Sequence, residues 1–125
     1  MASARAIAAA APGWIPLLGQ ILDELACDLA AVGRNDDACA AASEAIALQR
    51  ALVAKNRGGN LADLARTLHD VVPIHGAAGR HAEAVAAATE AVAAYEELAA
   101  AFPAAFSDKL AKAGHRLRDA VGTPA

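Results

Sequence analysis

The feature that most constrains this chain is an internal repeat. The segment at 33–54, GRNDDACAAASEAIALQRALVA, returns at 79–100 as GRHAEAVAAATEAVAAYEELAA, an offset of 46 residues with eleven of 22 positions identical. Alanine inflates such a score, because it supplies 39 of the 125 residues. The pairs that carry weight are Gly33/Gly79, Arg34/Arg80, Glu44/Glu90 and Leu52/Leu98, while Ser43/Thr89 and Ile46/Val92 keep their character. The same offset takes Leu22 to Leu68, Leu64 to Leu110 and His69 to His115. A fixed period of this length means that one supersecondary unit is copied and that neighbouring copies bury each other's apolar faces.

The unit is helical. Alanine loses no side-chain entropy in a helix, and the aromatic residues that favour strands are reduced to Trp14, Tyr95, Phe102 and Phe106. Leu18, Ile21, Leu22, Leu25 and Leu29 recur in steps of three and four, which predicts a helix over 14–32 ended by Gly33. Asn35 and Asp36 are suited to start a second helix over 35–55. Asn-Arg-Gly-Gly-Asn at 56–60 reads as a loop, with Asn60 capping a third helix through Leu61, Leu64, Leu68 and Val71. Pro73 is expected to kink that helix or end it early. A fourth helix runs over 81–101, and Ser107 is read as the cap of a fifth that carries Leu110, Ala113 and Leu117.

The turn Gly33-Arg34, followed by Ala38 and Ala45, and its copy Gly79-Arg80, followed by Ala84 and Ala91, resemble the tetratricopeptide-repeat family. The small residues at this spacing let the second helix of a pair touch the first. The family's usual repeat is about 34 residues. The longer second helix here is similar to the bacterial branch related to kinesin light chains. The resemblance covers 14–121 and implies an all-α fold: a right-handed antiparallel helix-pair solenoid of about two and a half repeats and five main helices. Residues 1–13 are then an Ala-rich extension, 14–56 and 60–103 the repeats, 107–121 a capping helix and 122–125 a tail.

Charge and cysteine content narrow the function. A net charge of -3 lacks the basic excess of a nucleic-acid module. Its distribution is uneven: 79–101 carry -3 and 104–125 carry +2. Cys27 and Cys39 make neither a disulfide framework nor a zinc motif and read as two small buried residues of a reducing, cytoplasmic setting. The start of the chain is too weakly apolar for a signal peptide, and no run is long and apolar enough to suggest a membrane span.

Catalytic signatures are missing: no phosphate loop, no HExxH, no nucleophile elbow. The chain reads as a non-enzyme with no cofactor and no metal. The chemical alternative is a small helical-bundle enzyme or metal protein using His69, His75 and His81, although steps of six do not share a helical face. In the resembled family the first helix of each pair lines a concave face that grips peptides or helices. Its inward columns fall on Gln20 and Asp23, then Arg66 and His69, then Lys112, His115 and Asp119, with Glu24, Asp70 and Arg116 as neighbours. The far half is basic, which suits a protein or peptide partner with an acidic segment. The resemblance thus implies a binding scaffold, with self-association into a homodimer expected because the array stands near the minimum for stability. The remaining alternative is the interaction fragment of a larger regulatory protein.

Overall fold

The computed structural model describes residues 15–122. Among them there are five helices: α1 (Ile15–Ala31), α2 (Asn35–Lys55), α3 (Arg57–Ala77), α4 (His81–Ala101) and α5 (Pro103–Gly122). Among the described residues there is no strand. The Ala-rich extension and the last three residues lie outside the described part.

The repeat in the sequence is a repeat in the backbone. Gly33 and Gly79 hold φ of 83° and 76°, the left-handed conformation that a Cβ penalises. At the first turn Gly33 N–H donates to Ala30 O and Arg34 N–H to Leu29 O. At the second, Gly79 N–H donates to Gly76 O and Arg80 N–H to His75 O. Both are the paired closure that satisfies the last carbonyls of a helix. The breaks after α2 and α4 are single residues, Asn56 and Phe102, which donate to Leu52 O and Leu98 O. Every one of these pairs is related by the same 46-residue offset.

Two expected helix starts move. The segment 56–60 is not a loop, because Asn56 alone is extended and its Oδ1 accepts the Gly59 N–H at 3.3 Å. A Cβ at 59 would stand 3.1 Å from Asn56 Nδ2, so the capping side chain would have to give by a few tenths of an ångström. Asn60 does not cap α3; its amide donates back to Leu52 O and Asn56 O, closing the end of α2. Ser107 likewise lies inside α5, donating to Pro103 O at 2.6 Å, while Pro103 occupies the first helical position, where no N–H is missed. Asn35 is no side-chain cap either; it is the first residue of α2, and its amide donates across to Ala77 O.

Pro73 neither ends nor shortens α3, which continues to Ala77. The physical reason lies in another helix. A proline at 73 leaves the carbonyl of His69, four residues back, without its helical donor. Arg116 Nη1 of α5 fills that place, donating to His69 O at 2.8 Å.

Each helix packs on the next, and α1 also touches α3, as α3 touches α5. No comparable approach joins α2 to α4; a side-chain pair, Arg50–Glu90 at 2.8 Å, spans them instead. The helices α1, α3 and α5 thus form one closely set layer. Ala38, Ala45, Ala84 and Ala91 are all buried, as close helix pairing requires. One core cluster joins α1 to α4 through Leu22, Ala26, Leu68, Val71 and the alanines. A second, Leu61, Ala65, Ala94, Tyr95, Leu98 and Ala113, joins α3, α4 and α5. Gln49 is an oddity in the first core: it is 2% exposed, and neither amide atom has a hydrogen-bond partner among the described residues.

Candidate functional site

The layer α1–α3–α5 carries two neighbouring depressions, and the groove residues read from the sequence fall into them. Gln20, Asp23 and Arg66 line the first, between α1 and α3, with Glu24, Cys27, Asp28 and Asp70; it encloses about 570 Å³. His69, Lys112, His115, Arg116 and Asp119 line the second, between α3 and α5, of about 260 Å³. His69 and Asp70 are consecutive on α3, so the two depressions flank that helix at the same level.

The first depression is acidic. Glu24, Asp28, Asp23 and Asp70 face a single cation, Arg66, among its lining residues. Asp23 is only 6% exposed. Burial, then the charge and hydrogen bond of Asp70, push its carboxyl up to about 6. Two carboxyls so placed hold one proton between them better than they hold two charges. Arg66 opposes the shift, but its Nε stands 3.8 Å from Asp23 Oδ2, and Nη2 is 3.6 Å from Asp63. The Thr67 hydroxyl also favours the charged form of Asp23, although it is fully buried and in hydrogen-bonding geometry with no group among the described residues. Cys27 is not buried, contrary to expectation; it is exposed at the rim of the depression. Desolvation and its acidic neighbours, Asp23 foremost, push its thiol up. Cys39 is buried as expected.

The second depression is basic, but less so than the residue types imply. Arg116 has one nitrogen committed to the His69 carbonyl. Desolvation lowers the pKa of His69, and Arg116 and Lys112 push it further down while Asp70 opposes them. His69 therefore enters as a neutral imidazole, its ring edge-on to Tyr95 with centroids 6.5 Å apart. The positive charge comes from Lys112 and Arg116.

His69, His75 and His81 do not assemble. His75 is buried with Nδ1 3.7 Å from Cys39 Sγ and 3.5 Å from Glu83, while His81 lines a separate cavity with Val72, Pro73 and Gly76. Among the described residues the one grouping with metal-ligand spacing is Asp23, Cys27 and Asp70, which the sequence reading did not assemble. Half of it was visible, since Asp23 and Cys27 are four apart on one helix; the partner on α3 was not. On the exposed face of α4, Glu97 takes Arg57 in a two-pronged pair at 2.7 Å. No described helix is long and apolar enough to cross a membrane. Comparison with protein-family models, curated proteins and solved structures finds no match to this chain.

Proposed function

We propose that this chain is a non-catalytic binding module of the tetratricopeptide type, a helix-pair solenoid that holds an extended protein or peptide segment along the α1–α3–α5 layer. One observation carries the reading. Columns spaced by the 46-residue repeat, on three different helices, open into two adjoining depressions of opposite charge. A ligand lying across both places an acidic group at Lys112 and Arg116 and a basic or amide group towards Glu24, Asp28 and Asp70. Charge-assisted hydrogen bonds supply the attraction, and the polarity of the layer sets the direction of the bound segment. The uncommitted hydrogen-bonding capacity of neutral His69 suits a backbone or side-chain amide between the two ends.

A peptide library displayed against the purified chain tests this. Selected sequences are expected to be enriched in acidic residues at one end. Lys112→Glu is expected to abolish that enrichment, and Glu24→Lys to alter the preference at the opposite end only. Selection of sequences that bind wild type and Lys112→Glu equally well would sink the reading.

A further inference from the structure

The acidic depression holds a grouping that stands whether or not a peptide binds beside it. Asp23 and Cys27 lie on one face of α1, one turn apart. Asp70 meets them from α3, and one donor atom from each of the three lies within 4.8 Å of the others. Asp23 is buried against a like charge, and Arg66, its one cation among the described residues, stands too far for a hydrogen bond. A second observation comes from outside the three donors. The Thr67 hydroxyl, 0% exposed, lies close enough to Asp23 to favour its charged form, yet it stands outside hydrogen-bonding geometry with every group among the described residues. Buried polar groups are normally paired, and one left over beside a candidate ligand is what a supporting shell looks like before its ion is bound.

We propose that Asp23, Cys27 and Asp70 form a three-ligand site for a divalent cation of the zinc class, with the fourth position open to the depression. Thiolate and carboxylate donors together select a borderline-soft ion; calcium requires six or more oxygens and magnesium prefers water and phosphate. Ligands of a tetrahedral zinc ion stand roughly 3.3–3.7 Å apart, as bond lengths of about 2.0–2.3 Å require. The observed spread therefore closes by about 1 Å, within reach of side-chain rotation. As the sulfur–metal bond forms, the Cys27 thiol proton leaves to solvent. The ion takes over the role of counter-charge to Asp23 and Asp70, drawing the Asp23 carboxylate to where Thr67 can donate to its second oxygen. Arg66, half exposed, is displaced towards Asp63, already 3.6 Å away. Glu24 and Asp28 raise the local cation concentration at the mouth.

Cobalt(II), titrated into the full chain after treatment with a chelator, is the probe. One saturable equivalent is expected, with a thiolate-to-cobalt charge-transfer band in the near ultraviolet, and zinc is expected to displace it. Cys27→Ser should remove the band, and Asp23→Asn or Asp70→Asn should weaken binding at least about tenfold, each with helical circular dichroism retained. Cys39→Ala should keep band and stoichiometry. Lys112→Glu should also keep both, so that this proposal and the peptide reading fail separately. Binding without the band, a band that survives Cys27→Ser, or no saturable binding by the wild-type chain would overturn the site.

Discussion

Arg116 and Pro73 form a cross-helix dependency that can be measured. The guanidinium donates at 2.8 Å to a carbonyl that a proline has deprived of its own donor. Replacing Arg116 by Met keeps most of the apolar stem and removes the donor. A hydrogen bond from a charged group is worth about 1.5–3 kcal/mol; at this partly buried site about 1–2 kcal/mol is expected. Pro73→Ala returns an N–H to His69 O and removes the ring clash, and an interior proline costs about 3 kcal/mol in an isolated helix. Because this helix has already adapted, about 1–2 kcal/mol of stabilisation is expected. The decisive quantity is the coupling. In the Pro73→Ala background the carbonyl is already satisfied, so Arg116→Met should cost at least about 1 kcal/mol less than in the wild type. Urea denaturation of the four chains, with coincident transitions by two probes, supplies the cycle. Costs that add to within about 0.5 kcal/mol would refute the pairing of these two residues.

Asp23→Asn tests the buried acid pair. The folded-state value of about 6 lies above the ordinary 3.8, so the stability that Asp23 contributes is complete below about pH 4 and is lost as pH rises through about 6. With chelator present, the variant should gain about 1–3 kcal/mol at about pH 8 and little at about pH 4; a gain that does not vary with pH would contradict this. Gln49→Leu removes a buried amide without partners and should stabilise by about 1–3 kcal/mol in the same assay, whereas a loss would reveal a partner outside the described residues. Ala84→Leu should overpack the α3–α4 contact and cost about 1–3 kcal/mol, and an unchanged melting temperature would mean that Ala84 does not face its neighbour. Gly79→Ala must hold a Cβ at φ of 76° and should cost about 1 kcal/mol; a neutral result would show that the turn relaxes.

What was legible in the sequence follows from how local its causes are. Gly33 and Gly79 announce their turns because only the backbone conformation of one residue is at stake. The stripes of α1 and α4 are legible because periodicity is a property of the helix itself. The starts of α3 and α5 were misplaced because Gly58-Gly59 and the Phe-Pro step read as loop by propensity, while the cap of Asn56 and the first-turn position of Pro103 reverse that reading. Pro73 was misjudged for a longer-range reason: the donor that replaces its missing N–H sits on another helix, where no local rule looks for it. The exposure of Cys27 and the meeting of Asp23 with Asp70 belong to the same class, since both depend on how α1 is set against α3.

The repeat itself supplies the missing rule. Asp23 is acted on by Arg66 and Asp70, and His69 by Lys112 and Arg116. Shifted by the 46-residue offset, these are the same three positions: 23, 66 and 70 in one copy, 69, 112 and 116 in the next. The repeat therefore makes one contact twice and fills it with different chemistry. In the first copy a central acid lies between an acid and an arginine, so a proton or a cation is wanted at the centre. In the second, burial first and then two cations favour the neutral form of an imidazole against the pull of Asp70, and the surroundings favour an anion. These three positions contribute to the opposite characters of the two depressions, and Glu24 and Asp28 add to the acidic one. Exchanging those three side chains should shift the first depression towards the character of the second without fully converting it, because Glu24 and Asp28 remain in its lining.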